Sequence, residues 1–112
     1  MATISNLYID QGTDYSSIIT VKSATGMPLD LTDYSVKSQI RKSYNSSQAF
    51  ELICEIIDAP KGKLRISLFA DINELMKPGR WLYDIEITQI STNRKKRVVE
   101  GIVQITPQIT KI

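Results

Sequence analysis

The stretch that decides the fold reads FELICEIIDAPKGKLRISL over residues 50–68. Apolar and polar residues largely alternate on both sides of a turn that contains Asp58, Pro60 and Gly62. A period of two is typical of a half-buried β-strand, and a short connection with Pro and Gly is typical of a hairpin. The stretch therefore predicts two antiparallel strands that are hairpin partners. The side chains predicted to face the core are Phe50, Leu52, Cys54, Ile56, Leu64, Ile66 and Leu68.

The same alternation recurs outside the hairpin, and turn residues interrupt it about every ten positions. One helical turn is predicted near 71–76, where Ile72 and Leu75 have helical spacing. Seven strands joined by short connections favour an all-β fold, a two-sheet Greek-key sandwich, with one domain over 1–112 and extended N- and C-terminal arms. The strands predicted besides the hairpin cover residues 6–10, 15–23, 34–41, 81–88 and 97–105. The remaining predicted core residues are Ile19, Val21, Leu31, Tyr34, Val36, Ile40, Trp81, Tyr83 and Ile85.

Composition places the chain among ordinary globular domains and away from nucleic-acid and membrane proteins. Of the 112 residues, 42% are hydrophobic and 23% are charged, and the formal net charge is +2. Nucleic-acid binders usually concentrate a larger basic excess on one face, and no apolar stretch approaches the ~18 residues that span a bilayer. The first residues lack the basic and apolar runs of a secretory signal. Since Cys54 is the only cysteine, we expect a protein made in a reducing cytoplasm, without an internal disulfide.

The sequence offers little material for catalysis, and we predict a protein that is not an enzyme and uses no cofactor or metal. It contains no histidine, so Ser-His-Asp and Cys-His arrangements are excluded. Cys54 has apolar neighbours, which favours a buried thiol that packs as a small hydrophobic group. The loop carboxylates are expected to accept backbone N–H bonds in turns, and a calcium site is the alternative. These carboxylates are Asp10, Asp14, Asp30 and Asp33.

Two features are candidates for an interaction surface. The basic run 94–97 could bind phosphate or an acidic neighbour. The alternative is a hairpin arm that lysines keep soluble and closed to edge pairing, with cross-strand ion pairs to Asp84 and Glu86. The apolar residues of the C-terminal stretch 105–112 could add a strand to a neighbouring subunit, and the alternative is a terminus packed on its own domain. The candidate interaction residues are Arg94, Lys95, Lys96, Arg97, Ile109 and Ile112.

Three motifs, in order along the chain, resemble a known family. They are DLTDYSVKSQIRKSY at 30–44, PGRWLYDIEI at 78–87 and VVEGIVQITP at 98–107. Together they resemble small virion proteins of tailed bacteriophages, especially the T-even-like phages of cyanobacteria, and the immunoglobulin-like N-terminal module of some phage baseplate proteins. The resemblance implies an immunoglobulin-like fold and a structural role in the baseplate, tail, neck or head of a virion. It also implies other virion proteins and further copies of the chain as partners, after synthesis in the host bacterial cytoplasm.

Two positions within these motifs carry local predictions. Asp33 stands where the family often has Gly, which implies an unusual backbone angle at this turn. Glu100-Gly101 predicts either a β-bulge or a close backbone approach in the last strand.

Two functions are alternatives to virion assembly. One is a module that binds a host-surface glycan or receptor, for which Tyr15 and Tyr44 are the loop aromatics that could make contact. The other is a regulator or inhibitor that binds a host protein and has no place in the particle.

Overall fold

The computed structural model describes residues 3–109, and in them the chain forms nine β-strands, one 3₁₀ turn and one α-helical turn. Six strands make a large sheet and three make a small sheet. The large sheet contains β1 (Thr3–Ile4), β2 (Leu7–Asp10), β4 (Tyr34–Arg41), β5 (Ala49–Glu51), β8 (Gly79–Gln89) and β9 (Lys95–Thr106). The small sheet contains β3 (Tyr15–Thr20), β6 (Ile53–Asp58) and β7 (Lys63–Leu68). The 3₁₀ turn covers Ala59–Lys61, and the helical turn α1 covers Ala70–Asn73.

The strand order is immunoglobulin-like. The large sheet has the order β1-β9-β8-β4-β5, with β2 also paired to β9, and the small sheet has the order β3-β7-β6. In the immunoglobulin fold, strands B, E and D share one sheet and strands C, F and G share the other. Here β3, β7 and β6 take the first set of positions, and β4, β8 and β9 take the second. The predicted all-β sandwich is confirmed, although β1 and β2 run parallel to β9, a pairing that alternation alone does not predict.

The hairpin predicted from residues 50–68 is present, but its first arm is divided between the sheets. β6 and β7 pair antiparallel, with Cys54 opposite Ile66, and Gly62 ends the intervening turn with a φ of 68°. The preceding residues 49–51 instead form β5, which pairs with β4. The chain crosses between the sheets at Leu52, whose N–H donates to the Ser38 carbonyl at 3.2 Å. A period of two gives the face of each residue but not the sheet to which it belongs, so the prediction of one continuous strand was wrong.

The core lies between the two sheets and includes most of the predicted side chains. Leu52, Ile66 and Ile85 are almost completely buried, whereas predicted core residues such as Phe50 pack at its margin. The Phe50 ring meets Trp81 edge-on, with ring centroids 5.6 Å apart. The buried hydrophobic residues are Leu7, Ile9, Val21, Leu31, Ile40, Leu52, Leu64, Ile66, Leu68, Met76, Trp81, Tyr83, Ile85, Ile87, Val98, Val99, Val103 and Ile105.

A single helical turn closes one end of the sandwich, close to the predicted position. α1 covers Ala70–Asn73 rather than the whole of 71–76. Leu75, predicted to lie on its apolar stripe, is 68% exposed, whereas Asn73 is fully buried. The Asn73 amide accepts from the Gly12 N–H at 2.7 Å and donates to the Thr13 carbonyl at 2.6 Å. A polar side chain thus ties α1 to the loop between β2 and β3, and helical spacing could not reveal this tertiary contact.

The N-terminal strands cover the edge of β9, and Gly101 makes this possible. A Cβ atom at Gly101 would lie 2.1 Å from the Ser5 carbonyl oxygen, so the predicted close backbone approach is confirmed. Ser5 donates its N–H to the Glu100 carbonyl at 2.9 Å, and its own carbonyl accepts from the Tyr83 hydroxyl at 2.6 Å. The β-bulge of this strand lies at Val98 rather than at Gly101. Val99 is opposite Ile85 and Arg97 is opposite Glu86, so the intervening Val98 has no partner on β8.

The prediction of an unusual backbone angle at Asp33 was wrong. Within residues 3–109 the one non-glycine residue with a positive φ is Asn93, at 59° in the β8–β9 turn. Asp33 instead accepts a hydrogen bond from the Ser91 hydroxyl on its carboxylate and one from the Ile90 N–H on its carbonyl. Its acidic side chain joins two turns, a role that a glycine could not fill.

Candidate functional site

The predicted basic run lies at the β8–β9 hairpin but does not form one patch. Arg94 precedes β9, and all four cationic side chains are exposed. Lys96 is opposite Ile87, which points into the core, whereas Arg97 is opposite Glu86 on the outer face of the large sheet. Because successive residues of a strand point to opposite faces, the charges are divided between two sides of the hairpin.

Arg97 is neutralised by carboxylates of the large sheet. Its Nε atom lies 3.0 Å from Asp84 Oδ2, and its Nη1 atom lies 3.1 Å from Glu100 Oε2. The hydrogen bond to Glu100 and the charge of Asp84 raise the pKa of Arg97. The expected cross-strand ion pair is therefore present with Asp84 but not with Glu86, because the second partner of Arg97 is Glu100 on its own strand. Arg97 offers little free charge to a partner.

Ile109, the C-terminal candidate within the described residues, lies far from the basic run. Ile109 follows the end of β9 and is 96% exposed, while the run 94–97 lies at its beginning. At about 3.3 Å per residue the two ends of β9 are roughly 36 Å apart. Gln108 donates its N–H to Gln11 Oε1 at 3.3 Å, so the chain packs on its own domain up to this residue. Ile112 lies outside the described residues.

The structure adds a groove of about 540 Å³ on the outer face of the large sheet, which the sequence reasoning missed. Its floor contains the half-buried side chains of Leu82 and Ile102, which are cross-strand neighbours on β8 and β9. Ile4, 72% exposed, and Tyr44, 79% exposed, also line it. The one signal in the sequence was apolar Leu82 and Ile102 at positions where alternation calls for polar residues.

The groove has separate positive and negative regions. Arg80 and Arg41 line it at the end where Leu82 lies, and Arg80 has no ion-pair partner within residues 3–109. Arg41 donates to the Ser46 carbonyl and, at 3.0 Å, to Gln39 Oε1. Further along the same strands the groove is lined by three carboxylates, Asp84, Glu86 and Glu100, against the single guanidinium of Arg97. The groove therefore suits a polar or charged partner with some apolar surface.

The prediction that the loop carboxylates accept backbone N–H bonds is confirmed for Asp14 and Asp30, whereas the carboxylates of Asp10 and Asp33 accept from side-chain hydroxyls instead. Asp30 accepts from the Thr32 hydroxyl and from the Thr32 N–H, and these hydrogen bonds lower the pKa of Asp30. Asp14 accepts from the Ala70 N–H at 2.9 Å at the start of α1, and Asp10 accepts from the Thr106 hydroxyl at 2.6 Å. In the part of the chain that the structure describes, no three Cys, Asp or Glu side chains come together as a metal site would require.

Cys54 has a thiol that is partly buried and whose pKa is raised. It is partly buried beside the core, and its Sγ atom lies 3.7 Å from the Leu52 carbonyl. Burial, with a smaller effect from the charge of Glu51, raises the pKa of Cys54 to about 12. A thiol in this state is protonated at neutral pH and packs as a small hydrophobic group.

Comparison with known proteins gives a likeness of fold. The chain is similar to the N-terminal domain of phage TP901-1 ORF48, with a TM-score of 0.58 and 11% identity over 91% of this chain and 85% of that one. It also aligns with 24% of a family 123 glycoside hydrolase from Clostridium perfringens, at a TM-score of 0.46 and 10% identity, too weak to bear on function. No protein-family model matches the sequence, and no curated protein matches it. Within residues 3–109, no helix has the length and apolar character to cross a membrane.

Proposed function

We propose that this chain is a structural protein of a tailed-phage virion, which acts by assembling with other virion proteins and with copies of itself. The observation that carries the proposal is the likeness to a phage domain over nine-tenths of the chain. The motifs at 30–44, 78–87 and 98–107 support the same assignment independently, because they resemble virion proteins in sequence rather than in backbone shape.

The side chains favour assembly over catalysis. Two of the carboxylates that could act as acid or base are engaged elsewhere, Asp14 with the Ala70 N–H at α1 and Asp84 with Arg97. The Cys54 thiol has too high a pKa to act as a nucleophile. A rigid sandwich with exposed sheet surfaces and strand edges has what a repeated particle component needs. We therefore propose a non-enzymatic protein whose partners bind to these surfaces.

Quantitative mass spectrometry of washed particles tests this function. Particles from cells that make the protein are banded on a density gradient and washed, and peptides of this chain are measured against those of the main particle proteins. We expect a constant molar ratio across the particle band, in several copies per particle. Purified chain added to finished particles controls for adhesion. If the peptides of this chain stay at the top of the gradient, both in particles from producing cells and in finished particles with added chain, the virion role is refuted.

A second candidate function is the binding of a host-surface glycan or receptor by the groove of the large sheet. Tyr44 favours it, because this side chain is 79% exposed beside Gln39 and Arg41. An exposed aromatic ring among planar polar groups is a surface on which a sugar can stack and form hydrogen bonds. A glycan array probed with the chain and with Tyr44→Ala tests this function. It predicts hits that the variant loses, and an array without hits would exclude glycans.

A further inference from the structure

β3 is an open edge of the small sheet. It is the terminal strand in the order β3-β7-β6, and it pairs with β7 along its whole length, from Tyr15 opposite Leu68 to Thr20 opposite Lys63. Beyond its end, the Val21 N–H donates to Gly62, and the Val21 carbonyl accepts from Leu29. The N–H and C=O groups of one residue in an extended strand point to the same side, so both of these neighbours lie on the β7 side. The other side of β3 has no strand beside it among residues 3–109.

The other strand edges of the sandwich carry features that oppose pairing, and β3 does not. β5 is only three residues long. β6 has a register shift at Ile57 and an acidic residue, Glu55, in its middle. The N-terminal edge is interrupted between β1 and β2, where the Asn6 side chain replaces a backbone partner. Short strands, charges and bulges protect natural edges from pairing, whereas the six residues of β3 contain no charge, proline, glycine or bulge.

The outward side chains along β3 are self-complementary. Within β3, Ser16, Ile18 and Thr20 alternate with the inward residues. Asp14 precedes the strand, with one carboxylate oxygen accepting from the Ala70 N–H, and Lys22 follows the strand. All but the partly buried Thr20 are exposed. In an antiparallel pair of two copies centred on Ile18, each Ile18 faces Ile18 of the other copy. Ser16 then lies opposite Thr20, and Asp14 lies opposite Lys22. The acidic and basic ends meet, and the 54% exposed Ile18 gains an apolar neighbour.

We propose that a second copy of this chain binds at β3, antiparallel and centred on Ile18, so that the two small sheets become one continuous six-stranded sheet. The two-fold arrangement closes on itself and produces a dimer rather than a filament. Asp14 and Lys22 favour a second copy as the occupant, because an antiparallel copy presents the reversed charge order and matches both ends. This inference deepens the proposed function by naming the surface through which copies associate.

Sedimentation velocity on the full chain tests the open edge. We expect the wild type to dimerise, and Ile18→Lys to raise the dissociation constant at least about tenfold because two lysines would then face each other. Ile53→Lys is the matched control, since Ile53 is 41% exposed on the same sheet but on the opposite edge strand. Wild type that stays monomeric up to roughly 1 mM would overturn the proposal. Equal weakening by both variants would also overturn it.

A charge reversal tests the choice of partner. Lys22→Glu places an acidic side chain opposite Asp14 of the second copy, so the dimer should weaken more at low than at high salt. Lys37→Glu makes the same charge change on the outer face of the large sheet and should leave the dimer intact. If the Lys22→Glu and Lys37→Glu proteins dimerise with the same dissociation constant, the pairing of Asp14 with Lys22 is contradicted.

Disulfide cross-linking tests the register even if a lysine variant folds poorly. Directly opposed residues of antiparallel strands have Cα atoms about 4.5–5.5 Å apart, within the range that a disulfide bridges. In a Cys54→Ala background, Ile18→Cys should therefore form a linked dimer on mild oxidation, and Ile53→Cys should not. Linking at Ile53 but not at Ile18 would overturn the proposal.

The same samples separate this inference from the proposed function. A β3 dimer in solution together with absence from washed particles would refute the virion role and leave the edge pairing intact. If the chain is found in particles, and its Ile18→Cys variant enters them without forming the disulfide-linked dimer, the edge pairing is refuted and the virion role is left intact.

Discussion

The large and small sheets share one core but present opposite kinds of surface. The large sheet has a polar groove on its outer face, and its β9 edge is covered by the N-terminal strands. The small sheet has isolated exposed isoleucines, Ile18, Ile53 and Ile57, and an uncovered edge at β3. One sandwich thus has a face suited to polar contacts and an edge suited to backbone pairing.

The difference shows how an edge is closed within the chain. Gly101 lets the segment around Ser5 approach β9, and Tyr83 holds that segment by its hydroxyl. No comparable strand lies beside β3 in the described residues. The chain therefore covers the β9 edge itself, and the uncovered β3 edge is the one at which we propose that a second copy binds.

The largest expected effect concerns the closed interior beside the small sheet. Burial raises the pKa of Cys54 from 9.0 to about 12, so at pH 8 the folded protein holds about a thousandfold less thiolate than the unfolded chain. We expect a thiol reagent to label the native protein at least about a hundredfold more slowly than the urea-unfolded protein. Ile57→Cys in a Cys54→Ala background, exposed on the same strand, should be labelled rapidly. Equal native rates for the two thiols would show that Cys54 is accessible and the interior is open.

The next effect concerns the covered edge of the large sheet. Gly101→Ala puts a Cβ atom against the Ser5 carbonyl, so we expect a loss of about 3 kcal/mol in the free energy of unfolding, measured by urea denaturation. The displaced N-terminal strand would also expose β9, and the variant should self-associate more than wild type. Gln104→Ala, on the outer face of the same strand, is the control. A loss below about 1 kcal/mol would mean that the close approach is not needed to cover the edge.

A smaller effect is expected where a loop joins the two sheets. Asn73→Ala removes a buried side chain that accepts from the Gly12 N–H and donates to the Thr13 carbonyl, so both backbone groups lose their partner. We expect a loss of about 2 kcal/mol in the free energy of unfolding, whereas Glu74→Ala, at an exposed neighbour, should have little effect. Hydrogen exchange should also quicken at Gly12. Unchanged stability and exchange would show that the Asn73 contacts do not hold the sheets together.

The smallest effect is expected in the groove of the large sheet. Arg97→Ala removes the ion pairs with Asp84 and Glu100, which lie on an exposed face. Exposed pairs contribute little, so the free energy of unfolding should fall by less than about 1 kcal/mol. The dimer constant measured by sedimentation should not change. A large rise in the dissociation constant of the dimer would show that the copies associate through the groove rather than through β3.

The sandwich could be predicted from the alternation and the turn residues, because strands and turns are specified mainly by residues that are adjacent in the sequence. The β6–β7 hairpin, the helical turn near Ile72 and the close approach at Gly101 all follow from local signals. Contacts between distant segments could not be predicted in this way. The buried Asn73 is explained only by the loop at Gly12, sixty-one residues away along the chain.

The candidate surfaces were predicted less well than the fold. The run 94–97 is a cluster in sequence, but strand geometry divides it and the carboxylates of β8 and β9 neutralise Arg97. The groove depends on which strands are neighbours, and the open edge depends on where β2 lies. β2 pairs with β9 rather than with β3, and neither residue pattern nor composition specifies that choice.

A density map of the intact particle would show both the virion role and the β3 contact. We expect several copies of a two-sheet domain with principal extents of 44 × 28 × 22 Å, side chains that match this sequence, and neighbouring copies joined along β3. A map in which every protein density is explained by other chains would contradict the virion role, and copies in contact only through other surfaces would contradict the pairing along β3.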